Sequence, residues 1–226
     1  MSFKFSKRKS KNEDIEEHEH DELDEDDEEE ESETTEFVVP PELRTIGLFG
    51  PVEEEKISDL ISGLLVLSEP KRKKIVNEDG THTEQVEPIK PVEFMINTPG
   101  GNADDMFALY DYMRIKRDVC EIRTYGLGKV MSAGVLLLAA GTKGQRKIGK
   151  HCRVMIHSVI GGSAGSYHNL ENEMEEIRYI QDTYLKALSS ETNMSYNQLR
   201  KMIDKKVNVY LSAQEAVKLG IADIIV

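Results

Sequence analysis

Two cysteines in 226 residues, with no CxxC pair and no Cys/His cluster near either, leave nothing from which to build a disulfide framework or a zinc site. Cys120 and Cys152 fall in stretches that read as strands, which predicts buried, reduced thiols, no metal, and a cytoplasmic setting. Long apolar runs are missing as well. No stretch reaches the ~18 apolar residues of a membrane span, and the basic first dozen residues are not followed by the roughly 7 to 15 apolar residues of a secretory signal. Positive charge is in short supply: 29 Lys and Arg against 42 Asp and Glu leave a net charge of −13, which disfavours nucleic acid as a partner. No repeat of solenoid length is present. The hydrolase elbow G-x-S-x-G is also absent, because Val130 stands where its first glycine is required.

The acidity is local. Residues 1–36 hold five Lys or Arg and seventeen Asp or Glu, so about −12 of the −13 lies there and the rest of the chain is close to neutral. Between Glu13 and Glu36 only Ile15 and Leu23 are aliphatic, too little to offset chain entropy, and a disordered acidic tail is expected over 1–36. Residues 37–226 then form one domain of ordinary hydrophobic content, in which 69–91 reads as a surface insertion. That segment carries Lys71-Arg72-Lys73-Lys74, an Asp79-Gly80 turn signal and three prolines, a pattern compatible with a hairpin.

The remainder alternates strand and helix. A strand over 44–49 leads to a helix over 53–67, with Ile57, Leu60, Ile61, Leu64 and Leu65 at helical spacing. A strand over 92–96 runs into Asn97-Thr98-Pro99-Gly100-Gly101 and a helix over 104–116 carrying Met106, Leu109, Tyr110 and Met113. A strand over 119–125 enters a Gly126-Leu127-Gly128 turn, Ser132, and a helix ending at Gly141. Another strand, 153–156, stops at His157. A long helix follows over about 168–191, with Leu170, Met174, Ile177, Ile180, Tyr184, Leu185 and Leu188 near one stripe. A shorter helix (195–204), an extended segment (209–211), a helix opened by the capping box Ser212 to Glu215, and an apolar strand over 221–226 complete the chain. Successive strand, turn and helix units imply right-handed crossovers and a parallel sheet.

Ligands of such sheets bind beyond the carboxyl ends of the strands. Three of those ends carry unusual residues: Pro99-Gly100-Gly101, Ser132 and His157. Taken alone, a serine at a helix N-terminus reads first as a capping residue; the same position, beside unpaired amides, also suits a nucleophile. A serine hydroxyl needs a base, and His157 is the only one of six histidines at a strand end in this core. Each feature alone has a structural reading; their conjunction points to a hydrolytic site.

In order and spacing, Asn97-Thr98-Pro99-Gly100-Gly101, Met131-Ser132-Ala133-Gly134, Arg153-Val154-Met155-Ile156-His157 and Tyr210-Leu211-Ser212-Ala213-Gln214-Glu215-Ala216 resemble the proteolytic subunit of the Clp protease, ClpP. The resemblance implies an α/β, ClpP/crotonase-like fold of repeated ββα units with a protruding handle helix. It also implies a serine endopeptidase working inside a homo-oligomeric barrel, heptamer or double heptamer, on unfolded polypeptides. No cofactor is implied in the chain itself; ATP would be used by a partner AAA+ Clp unfoldase. By position, Ser132 is the nucleophile, His157 the general base, and Gly101 and Ala133 supply the oxyanion-hole amides. Gly101, Asn102, Ala103, Ile160, Gly161 and Gly162 would hold the substrate backbone as an added strand.

Two departures from the family pattern stand out. Where the family has the triad aspartate, this chain has Asn208, which orients a histidine without stabilising its charged form; Asp204 is the alternative third member. The N-terminal segment that forms pore loops in the family is replaced by the acidic tail, so an unfoldase partner is less firmly implied than peptidase activity. Two other readings stay open: a non-catalytic ring subunit, and a dedicated processing protease of the virus head maturation type. A crotonase-like acyl-CoA enzyme has no need of both Ser132 and His157.

Overall fold

The computed structural model describes residues 42–77, 80–205 and 208–226. The acidic tail expected over 1–36, and the expected domain start at residue 37, lie outside the described residues. From Glu42 to Val226 the chain forms one unit.

Its first strand, β1 (Thr45–Phe49), is followed by α1 (Glu54–Leu67), which buries Ile57, Leu60 and Leu64 and starts with Glu54 and Glu55, where the helix dipole favours acids. Two exposed strands come next, β2 (Arg72–Val76) and β3 (His82–Val86), an antiparallel pair separate from the main sheet and closed by the Glu87 amide bonding to the Lys71 carbonyl. Part of the expected Asp79-Gly80 turn lies outside the described residues. β4 (Val92–Thr98) alternates buried and half-buried positions along its length. α2 (Ala103–Lys116) begins on an Asn102 cap that accepts from the Asp104 and Asp105 amides, and it buries Met106, Leu109, Tyr110 and Met113 as its periodicity predicts.

β5 (Ile122–Met131) corrects the sequence reading. Gly126-Leu127-Gly128 is not a turn; the strand runs through it for ten residues. Gly128 takes φ +63°, a left-handed conformation open to glycine, and the β4–β5 register shifts between Ile96 and Thr98. The strand therefore changes neighbour midway. Tyr125 and Gly126 pair with β6 (Lys147–Ile148), whereas Lys129, Val130 and Met131 pair with β7 (Arg153–Ile156). α3 (Ala133–Ala139), which follows β5, is buried on all sides. Gly141 after it is not a left-handed cap; it is small because a Cβ there would meet the Thr124 hydroxyl at 2.5 Å.

α4 (Tyr167–Glu191) buries only its last turns, at Tyr184, Leu185, Leu188 and Glu191; Leu170, Met174 and Tyr179 are exposed. α5 (Tyr196–Asp204) and α6 (Ala213–Lys218) both open on capping boxes, at Ser195 and Ser212, with β8 (Val209–Leu211) between them. β9 (Ile224–Ile225) is shorter than the strand expected over 221–226, since Ile221 and Ala222 are buried in the preceding bend.

The seven-stranded sheet has the order β1-β4-β5-β6-β9, with β7 branching from β5 and β8 added antiparallel to β7. All its other pairings are parallel. It is thus a mixed α/β fold with a mainly parallel sheet. Phe94, Ile96, Leu109, Ile122, Leu136, Leu137 and Leu138 are fully buried between sheet and helices. Removing one of those leucine side chains would cost about 2–5 kcal/mol.

At the far end of α4, the buried Glu191 carboxylate accepts from Tyr110 at 3.1 Å and from Arg117 at 2.9 Å, with Lys143 at 3.3 Å. Its backbone carbonyl accepts from Arg146, which also pairs with Asp223. One carboxylate so ties α2, α4 and the loop after α3 together.

Cys120 and Cys152 are buried and free, as predicted, but they sit just before β5 and β7 and not inside strands. Burial pushes the Cys152 thiol up to about 11.

Candidate active site

Because β4, β5 and β7 run parallel, their carboxyl ends reach the same edge of the sheet, and the three unusual segments meet there. A cleft of about 550 Å³ opens at this edge. Ser132, Ala133, His157, Gly101, Asn102, Ala103, Ile160 and Gly161 all line it. Gly162 and Asn208 are not part of its lining.

Ser132 follows the last residue of β5, and its amide donates to the Met155 carbonyl at 2.8 Å, which continues the pairing toward β7. Its backbone then turns sharply, to φ +53° and ψ −121°. It is the one non-glycine residue with positive φ among the described residues. Such a conformation costs on the order of 1–3 kcal/mol and persists only where the surroundings impose it. The capping alternative fails here: Ser132 occupies the N-cap position of α3, yet its hydroxyl bonds to no helix amide. Its carbonyl accepts twice, from the Val135 amide at 3.0 Å and from the Tyr184 hydroxyl at 3.1 Å.

The glycine loop presses directly on this turn. Gly100 has φ +94°, and a Cβ there would lie 2.5 Å from the Ser132 Cβ and 2.9 Å from the Met131 carbonyl oxygen. Only glycine permits that approach. Gly101 forms a parallel bridge with Val52 through its neighbours, since Val52 donates to the Gly100 carbonyl and Asn102 donates to the Val52 carbonyl. That pattern does not use the Gly101 amide. The Ala133 amide, first in α3, has no acceptor within its own helix. Two backbone donors thus flank the serine.

His157 directly follows β7 and is half-buried in the cleft wall. Burial holds its imidazole below the usual 6.5, so the ring is neutral at pH 7 and able to accept a proton. In this single chain no hydrogen bond joins the ring to the Ser132 hydroxyl or to Asn208.

Asn208 is exposed and stands immediately before β8. Asp204 lies in the last turn of α5, where it pairs with Arg200 at 3.1 Å. Of the other core histidines, His151 is exposed at the start of the turn before β7, and His168 pairs with Glu171 on the exposed part of α4.

The apolar wall of the cleft comes from Met106, Val159, Ile177, Ile180 and Tyr184. Sequence reading placed Tyr184 in the buried stripe of α4 and missed its contact with the serine. A signal was available, since a tyrosine in an otherwise aliphatic stripe must find a partner for its hydroxyl. Gln181, one turn earlier, accepts from the Val159 amide at 3.3 Å and was also missed.

Among the described residues no three acidic, histidine or cysteine side chains gather as a metal site, and no helix is long and apolar enough to cross a membrane. The cleft offers a hydroxyl, a neutral imidazole, two backbone donors and an apolar wall. Those are the groups an acyl-transfer reaction requires.

Residues 81–226 match a family model described as Clp protease. The chain is similar to the ATP-dependent Clp protease proteolytic subunit 1 of Prochlorococcus marinus (strain MIT 9312), 34% identical over 143 residues, which are 63% of this chain and 71% of the relative. The subunit of the same name from strain NATL2A is 32% identical over 181 residues, 80% of this chain and 82% of the relative. That of Synechococcus sp. (strain CC9902) is 34% identical over 144 residues, 63% of this chain and 71% of the relative.

Proposed function

Because the chain belongs to the Clp protease family, we propose that it is a serine-type endopeptidase subunit whose nucleophile is Ser132. The observation that carries this reading is the conformation of Ser132: strained, uncapped, pressed against Gly100 and opening into the same cleft as His157.

In the proposed reaction a peptide lies along Gly101, Asn102 and Ala103 on one side and Ile160, Gly161 and Gly162 on the other. The Ser132 hydroxyl attacks the scissile carbonyl carbon while His157 takes its proton. The resulting oxyanion is held by the Gly101 and Ala133 amides, which are fixed before reaction and so need no reorganisation. His157 returns the proton to the leaving amine, and water then cleaves the acyl-enzyme by the same steps in reverse. Asn208 would hold the histidine ring in the productive tautomer without offsetting its charge.

The exposed apolar positions on the outer part of α4, Leu170 and Met174, support a protruding helix that packs against other subunits in a homo-oligomeric barrel, heptamer or double heptamer. A cytoplasmic location and an AAA+ Clp unfoldase partner complete the proposal.

The test is labelling by a fluorophosphonate. Wild type should react and Ser132→Ala should not; no labelling of wild type between pH 6 and 9 would end the peptidase reading. One observation favours a second reading: Asn208 is exposed and bonds to neither His157 nor any other described residue. A non-catalytic ring subunit would assemble in native mass measurements yet stay unlabelled, both as wild type and as Asn208→Asp.

A further inference from the structure

The Ser132 carbonyl and the Ala133 amide belong to one peptide group, which is planar and trans, so they point in opposite directions and cannot move separately. Whatever fixes the carbonyl therefore fixes the amide. Two donors fill the acceptor sites of that carbonyl: the Val135 amide, from within α3, and the Tyr184 hydroxyl, from α4. The first is local and comes with any helix starting here. The second reaches across 52 residues of sequence and is specific to this side chain.

The geometry points to Tyr184 as a positioning residue: by holding the Ser132 carbonyl it aims the Ala133 amide at the place where the oxyanion forms, and it keeps the serine in its turned conformation. This rests on the peptidase reading above and adds to it a residue on α4 that touches neither the attacking oxygen nor the proton in transit. Tyr184 is buried in the cleft wall, and burial pushes the phenol well above its usual value of 10, so it stays a donor at every working pH. α4 has a second tie to the cleft, from the Val159 amide to Gln181, which keeps the helix seated when the tyrosine hydroxyl is removed. Glycine at 100 completes the fixture, since a larger residue there would collide with the Ser132 Cβ.

The test is Tyr184→Phe, which keeps the ring in its cavity and deletes one hydrogen bond. Four quantities are read on the full chain: kcat and KM for a short peptide, the inhibition constant of a tripeptide boronate that mimics the tetrahedral intermediate, the acid midpoint of the pH profile, and the thermal midpoint. The expected result is a kcat lower by about 3- to 10-fold, the span of one neutral hydrogen bond. Boronate binding should weaken by the same factor while KM stays within two-fold. The pH midpoint should not move, because a cleft that merely loosened would rehydrate His157 and raise it.

Unchanged kcat and boronate affinity would overturn the proposal, and so would a loss of activity accompanied by a raised pH midpoint and a lowered thermal midpoint. Failure of the peptidase reading looks different: wild type and Ser132→Ala would then behave alike toward fluorophosphonate, which also removes the ground for this role of Tyr184.

Discussion

Ile156 stands opposite Val209 in the antiparallel β7–β8 ladder, one residue before His157 on one strand and one residue after Asn208 on the other. Met155 with Tyr210 and Val154 with Leu211 continue the same register. Carried one rung further, that register sets Asn208 across from His157, whereas Asp204 is held on α5 by Arg200. Asn208→Asp should therefore raise kcat for peptide cleavage by about 10-fold or more, because a carboxylate stabilises the imidazolium that an amide only orients. Steady-state assays of the two proteins decide it; Asp204→Asn should leave activity within two-fold.

The acid side of the pH profile follows from His157. The ring must be neutral to accept the serine proton, and burial lowers its pKa below 6.5. Activity should persist below pH 6.5 and fall only as pH drops through the lowered value. The sign for stability is the same: over that interval the unfolded chain binds the proton and the native one does not, so stability falls as pH falls. In Asn208→Asp the midpoint should move up, since a nearby anion favours the charged ring. Profiles of kcat/KM measured from pH 4.5 to 8 check both shifts.

Gly100→Ala should abolish turnover. Its Cβ would sit 2.5 Å from the Ser132 Cβ at a φ of +94°, so either the loop or the serine must move. We expect a fall of at least about 100-fold in kcat, as misplacement of the reacting groups by about 1 Å brings, with about 1–3 kcal/mol of destabilisation from the backbone conformation. Peptidase assays alongside urea unfolding separate the two effects.

Glu191→Gln tests the joint at the end of α4. Burial raises the carboxyl, but the Arg117 hydrogen bond and the charges of Arg117 and Lys143 outweigh it and hold the group below its ordinary 4.5. Removing the charge strands Arg117 and should cost about 3 kcal/mol, the low end for a buried pair because the cations reach solvent. A depressed carboxyl contributes its stability above the unfolded-state pKa and loses it as pH falls through the folded-state value. The difference between wild type and variant in urea should therefore be full at pH 7 and shrink below about pH 4.5.

The helices α1, α2 and α4 were legible because their apolar spacing is local, and the glycine loop, Ser132 and His157 were legible because strand ends announce themselves by what interrupts an apolar run. β6 was not, since Lys147 and Ile148 are too few for any period. The course of β5 was misread for a definite reason: Gly126 and Gly128 look like a turn to local rules, and only the neighbouring strands supply the pairing that carries the chain straight through them. Tyr184 shows the same limit at the site. Its place on the buried face was visible, but its partner lies 52 residues away and depends on how α4 crosses the sheet.

The backbone angles of Ser132 match the first corner of a type II′ turn, where glycine is at ease and every side chain is crowded. Selection for folding alone would settle glycine at this position, and Ser132→Gly ought to relax the fold while silencing it. A chain that keeps a Cβ and a hydroxyl at such a spot works against its own comfort, the mark of a residue retained for what it does to something else.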